Sequence, residues 1–284
     1  MQVGQLARGG YTTGIRRAAV AGHFYTDDPR ELREQVVGFL REVPSGHIEA
    51  KAVMAPHAGL VYSGQCAAHV FGRVTLPPTV VLVGPNHRRR VGSRPVASLW
   101  SDGGFETPLG TVQIDAALAH AIETASPLVA DDPVAHDEEH CLEVELPFLQ
   151  VLAPDTRIVP LLLAWDDWDS CRRLAETLAR AVTACAHGVL LIASSDMTHY
   201  ESAAAAERKD RVALARIEQL DGAGLLETCH REHITMCGRA AAATVAEAAR
   251  LLGATRADLV DYRNSGWVTG DVASVVAYAG LTID

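Results

Sequence analysis

The chain has 284 residues, 48% of them hydrophobic, and a formal charge of −10 at neutral pH. That length and apolar content support a sizeable buried core, and the acidic balance excludes a nucleic-acid partner because no basic face remains to neutralise phosphates. No apolar run is long enough to cross a bilayer, and Met1-Gln-Val-Gly-Gln-Leu-Ala-Arg8 lacks the apolar core of a signal peptide, so a cytoplasmic setting without a membrane partner is expected. The six cysteines show no CxxC pairing, which argues against a structural zinc site and against a disulfide scaffold.

In chain order, residues 1–15 read as a mobile tail and residues 16–284 as a single domain. Asp27-Asp28-Pro29 starts a helix, since aspartate caps and proline suits the first helical position; Leu32, Val36, Phe39 and Leu40 then share one face. A strand is predicted at Ala52–Ala55, followed by a turn through Pro56-His57-Ala58-Gly59 and a helix over Cys66–Phe71. The second strand is Val80–Val83, stopped by Gly84-Pro85. A short strand at Val96–Trp100 and a loop through Asp102–Pro108 precede a helix at Asp115–Thr124. The segment Leu142–Leu149 reads as helical until Pro147 perturbs it. Then follow a strand at Ile158–Leu163, a helix at Trp168–Cys185, a strand after Gly188, helices at Ala203–Leu220 and Ala240–Leu252, and a last strand at Val272–Ala279. Strands alternating with helices predict an α/β fold with a mostly parallel or mixed sheet covered on both faces.

Three of the apolar runs end in a histidine: Lys51–His57, Thr79–His87 and Gly188–His199. In open α/β sheets ligands bind outside the carboxyl ends of the strands, and histidine is both the commonest metal ligand and the side chain most easily tuned for proton transfer. His57 and His87 thus become candidate ligands, against the alternatives of a turn histidine and of the first residue of a solvated basic run, Arg88-Arg89-Arg90. Asp196 and His199 are three apart, which on a helical turn puts the carboxylate beside the imidazole and makes His199 a general acid/base or a third ligand. Helix capping by Ser195 or Asp196 is the alternative. Cys237 precedes a predicted helix start, where the dipole favours a thiolate, although most such cysteines are inert and buried. His140, within Glu138-Glu139-His140-Cys141, is kept as an acid/base that either lines the same cavity or caps a helix.

These motifs resemble the Memo family, also called AmmeMemoRadiSam system protein B. The matching segments are Arg17–Tyr25, Ala55-Pro-His-Ala-Gly-Leu-Val-Tyr-Ser-Gly64, Gly84-Pro-Asn-His87, Glu139–Leu149, Ser194-Ser-Asp-Met-Thr-His-Tyr200 and Cys237-Gly-Arg239. The resemblance implies a fold like that of the class III extradiol dioxygenases, which use non-haem iron. It also implies that His57, His87 and Cys237 match the family's metal ligands, with Asp196 and His199 beside them. Metal binding, redox activity and phosphopeptide binding have each been attributed to members, and a radical-SAM protein is an implied pathway partner. The chain departs from the family pattern at His23, where a large aromatic is common, and at Cys141, in place of the usual serine.

Two imidazoles and a thiolate differ from the usual two-histidine, one-carboxylate iron site. The softer sulfur admits Cu or Zn besides Fe(II), the first expectation. The expected function is redox, dioxygenase-like chemistry on a small-molecule substrate, with His199, Asp196 and His140 handling protons. A metal-dependent hydrolase and a non-catalytic module binding an anion or phosphopeptide are the competing classes.

Overall fold

The structure is a computed structural model that describes residues 14–44, 47–88 and 97–284. The chain runs β1 (Ile15–Arg16), α1 (Pro29–Leu40), β2 (Ala52–Ala55), α2 (Leu60–Phe71), β3 (Thr79–Pro85), β4 (Ala97–Leu99), β5 (Gly104–Thr107), β6 (Gly110–Gln113), α3 (Ala116–Ala125), β7 (Val129–Asp131), α4 (Leu146–Leu152) and β8 (Arg157–Leu163). It continues through α5 (Trp168–Ala184), β9 (Val189–Ser194), β10 (His199–Glu201), α6 (Ala203–Glu218), α7 (Gly222–Arg231), α8 (Arg239–Leu251), β11 (Ala257–Asn264), α9 (Gly266–Thr269) and β12 (Val275–Ile283). Most of the expected tail lies outside the described residues; Ile15, its last residue, pairs with Gly104.

The main sheet is mixed, and its centre is parallel. β2, β9, β3 and β8 lie side by side in that order and run the same way. These are continuous apolar runs, and Val80, Val81, Leu82 and Val83 are all fully buried, as a strand covered on both faces must be. The flanks reverse direction: β12 is antiparallel to β2 and carries β11 and β10, while β4 is antiparallel to β8 and carries β7. Helices α1, α2 and α4 pack together as one group, and α3, α5, α6, α7 and α8 as another, so the α/β layering expected from the alternation is present.

Local chemistry explains most element starts. Asp28 accepts from the Arg30 and Glu31 amides at the start of α1, and Asp115 and Asp167 cap α3 and α5 in the same manner. Three expectations need correction. β3 does not stop at Gly84-Pro85 but pairs through Leu162 and Leu163, because a proline at a strand's last position forfeits little of the ladder. Pro147 does not disturb a helix: a 3₁₀ turn at Glu143–Glu145 comes first, and Pro147 sits in the first turn of α4, where its missing N–H had no intrahelical partner. The loop expected around Asp102–Pro108 contains β5, which forms a small sheet with β1 and β6.

One buried ion pair ties the start of the chain to the residues just before α4. Glu143 is fully buried and accepts from Arg16 Nη1 at 2.5 Å, from the Ala19 and Val20 amides at 2.8 and 3.1 Å, and from the Tyr25 hydroxyl at 2.5 Å. Arg16 also donates to the carbonyls of His136 and Glu139. Among the described residues, no helix is long and apolar enough to cross a membrane. Removing one partner of such a pair strands the other charge in the core. Glu143→Ala is therefore expected to cost about 3–5 kcal/mol of stability, read as a lower urea midpoint.

Candidate metal centre

Three neighbouring parallel strands deliver the site. Ala55 of β2 and Ser194 of β9 are in register, so His57 and Asp196, each two residues beyond its strand, emerge at the same level. The pairing is closed by a bond from the His57 amide to Asp196 Oδ1 at 2.8 Å. His87 lies two residues beyond β3, on the other side of β9.

The imidazole tautomers follow from their partners. Ser194 Oγ donates to the Cys141 carbonyl at 2.7 Å, so it accepts from His57 Nδ1–H at 2.8 Å and leaves His57 Nε2 with its lone pair. Glu139 is the corresponding partner for two further histidines. Its carboxylate accepts from the His87 amide at 2.6 Å and His87 Nδ1 at 2.9 Å, from the His140 and Cys141 amides at 2.9 and 3.1 Å, and lies 3.2 Å from His140 Nδ1. His87 thereby presents Nε2. This is the carboxylate–histidine pairing that fixes ring orientation and raises ligand basicity at metal sites. The ligand atoms of His57, His87 and His140 lie within 4.8 Å of one another, as do those of His87, Glu139 and Cys141.

Burial sets the charge states. It pulls the His57 pKa down to about 3, with the neighbouring His87 adding to the effect, and the His140 pKa down to about 4, with His57 adding. At neutral pH both are neutral imidazoles, the form that binds metal. Burial alone would raise the Glu139 carboxyl, but the hydrogen bond and charge of His87, followed by His140 and the Cys141 amide, bring it down to about 2. Asp196 is raised by burial.

Cys237 Sγ stands 3.2 Å from His57 Nε2 and immediately precedes Gly238, the N-cap of α8. A Cβ at position 238 would meet the Ser194 carbonyl at 2.3 Å, so only glycine lets this helix end approach β9 closely enough to bring the thiol in. The expected thiolate is not favoured in the metal-free protein: burial and then the Asp196 carboxylate push the Cys237 thiol well up. A bound ion would have to displace that proton.

His199 is placed differently from the expectation. Residues 195–198 are not helical, and His199 opens β10. Its Nδ1 donates to the Thr235 carbonyl at 3.0 Å and its amide to Thr235 Oγ1 at 2.8 Å, while Asp196 serves the His57 amide. Thr235 therefore orients His199 and leaves Nε2 as the free base.

All six expected site residues, His57, His87, His140, Asp196, His199 and Cys237, line one cavity of about 840 Å³, with Phe24, Tyr62, Tyr200 and Tyr278 among its walls. Glu139, Ser194 and Thr235 are the positioning residues that motif reading passes over; the Glu139-His140 dipeptide was the visible signal for the first. His23 is outside the cavity lining, and Cys141 is buried behind His87, with Sγ 3.2 Å from the Pro85 carbonyl. Arg89 and Arg90 of the basic run lie outside the described residues, and Arg88 is exposed.

Residues 16–282 match the family model of the Memo-like proteins. The chain belongs to the Memo family. It is 40% identical to a MEMO1 family protein of Methanothermobacter thermautotrophicus over 94% of this chain and 100% of that protein. MEMO1 family proteins of Methanopyrus kandleri and Aquifex aeolicus are each 38% identical, over 94% of this chain and 98% of theirs. Family membership thus covers every strand end that builds the cluster.

Two measurements check the site's electrostatics. Glu139→Gln is expected to weaken Zn(II) or Fe(II) binding by about 10–100-fold in anaerobic titration calorimetry, because the amide lacks the negative charge beside the His87 and His140 rings and turns one of the two acceptor oxygens into a donor. His57 and His140 have folded pKa values of about 3 and 4, below the ordinary 6.5, so the unfolded chain binds more protons than the folded one in that window. Stability of the metal-free protein is therefore complete above about pH 6.5 and falls as the pH drops toward 4, by up to about 1.4 kcal/mol per pH unit for each proton; His57→Asn should flatten that slope in denaturant titrations.

Proposed function

We propose that the protein is a metal-dependent redox enzyme that works in the cytoplasm on a small molecule bound in the large cavity. Fe(II), or Cu in its place, would be held by His57, His87 and Cys237; Zn would fit the same donors without supplying redox chemistry. The observation that supports this most is that His57 and His87 each commit Nδ1 to an acceptor at the same sheet edge, with a thiol 3.2 Å from His57 Nε2.

The donor set fits an ion. Nitrogen and sulfur bound to a common metal at about 2.1 and 2.3 Å stand about 3.1–3.6 Å apart, and His57 Nε2 and Cys237 Sγ are separated by 3.2 Å. When bound, such an ion would polarise a substrate oxygen and, if iron or copper, exchange electrons with it. The protein's own groups supply the rest. His199 Nε2, freed by the Thr235 bond, takes a proton from a substrate hydroxyl. Asp196 holds the His57 backbone, and His140, 3.2 Å from Glu139 and kept neutral by burial, lines the same cavity as an acid/base. The walls of Phe24, Tyr62 and Tyr278 favour a substrate with an apolar body.

A zinc hydrolase is the second reading, and the tri-histidine cluster favours it, because catalytic zinc commonly keeps three protein ligands and an open position. Metal analysis of protein purified anaerobically without added metal separates the two. The redox reading expects stoichiometric iron that is lost in His57→Ala and in Cys237→Ala but kept in His199→Gln. Full metal content in both ligand variants overturns it, and zinc alone in the native protein moves the assignment to hydrolysis.

A further inference from the structure

At the opposite end of the sheet, where β3 and β9 begin, a second group of reactive side chains comes together. Cys185 ends α5, and the short link to β9 carries His187. Cys185 Sγ lies 3.5 Å from His187 Nδ1 and 3.4 Å from Nε2. His187 Nε2 is 2.9 Å from Thr79 Oγ1 and 3.2 Å from Asp115 Oδ2. The Thr79 hydroxyl donates to Asp115 at 2.7 Å, so its oxygen accepts from Nε2–H, which leaves Nδ1 as the ring nitrogen able to take a proton from the thiol beside the ring. Asp115 is fixed in turn by the Leu118 amide at 3.0 Å. Thiol, imidazole and carboxylate thus stand in the order of a nucleophile, its base and the group that orients the base.

Beside them runs a groove of about 410 Å³ between α3 and α5, floored by Leu118 and flanked by Ala121, Ala125, Ala181 and Ala184. Of the six cysteines, only Cys185 and Cys237 are not fully buried, and Cys237 belongs to the metal centre. We propose that Cys185, His187 and Asp115 form a second reactive centre, whose thiol accepts an apolar acyl group from an activated ester or thioester seated in this groove. His187 Nδ1 takes the thiol proton while sulfur bonds to the acyl carbon. The bond from that carbon to the leaving group breaks with its electron pair, and the leaving group collects the proton from His187. The products are S-acylated Cys185 and the free alcohol or thiol, with no redox partner required. The carbonyl end of α5, at Cys185, stabilises the transient imidazolium.

The full chain treated with 4-nitrophenyl butyrate, followed by peptide mapping, tests this. A butyryl group is expected on Cys185, with the labelling rate reduced about tenfold or more in His187→Ala. Ala121→Phe, at an exposed groove position, should slow butyryl transfer more than transfer from 4-nitrophenyl acetate. Label on Cys237 or lysines with Cys185 unmodified, or an unchanged rate in His187→Ala, overturns the proposal; equal slowing of both esters overturns the groove's part in it.

Discussion

The Glu139 carboxylate is the interaction on which the site depends. It lies buried between the turn after β3 and the segment before α4, and it accepts from the backbone and ring nitrogens of His87 and from the His140 amide, with the His140 ring nitrogen 3.2 Å away. Without it the His87 ring would lose the acceptor that orients it. Glu139 is itself held by the chain start, because Arg16 donates to its carbonyl and to the buried carboxylate of Glu143. The stability of the first residues of the fold and the geometry of the candidate metal centre are thereby one problem.

The same burial that orders the centre also fixes its proton content. Desolvation keeps His57 and His140 neutral and keeps Cys237 protonated, so the metal-free site carries little charge beyond its carboxylates. Neutral imidazoles are ready ligands, whereas the thiol must lose a proton on binding. If Cys237 is a ligand as proposed, ion uptake would release a proton through that single residue, and the reactive thiolate would form only with an ion present.

Much of this was legible in the chain. The three apolar runs with a polar residue two positions beyond each strand mark the sheet edge, because buried parallel strands must be continuously hydrophobic and ligand-bearing turns must follow them at once. The mixed flanks were not legible: β11, Ala257–Asn264, carries Asp258, Asp261 and Arg263, so it lacks the apolar run that announces a strand and is held by its pairing with β12. The spacing of Asp196 and His199 misled for a related reason. Three residues apart implies contact only on a helix, and here an irregular link, residues 195–198, joins β9 to β10. Thr235, the actual partner of His199, is distant in sequence and carries no motif. Glu139 was in view but ambiguous, since carboxylates beside a histidine are usually a solvated face.

The central claim is that sulfur from Cys237 shares an ion with His57 and His87. X-ray absorption at the metal edge of the zinc-loaded protein reads that directly. One sulfur neighbour at about 2.3 Å beside nitrogens at about 2.0–2.1 Å is the predicted first shell, and a shell of nitrogen and oxygen alone would contradict it.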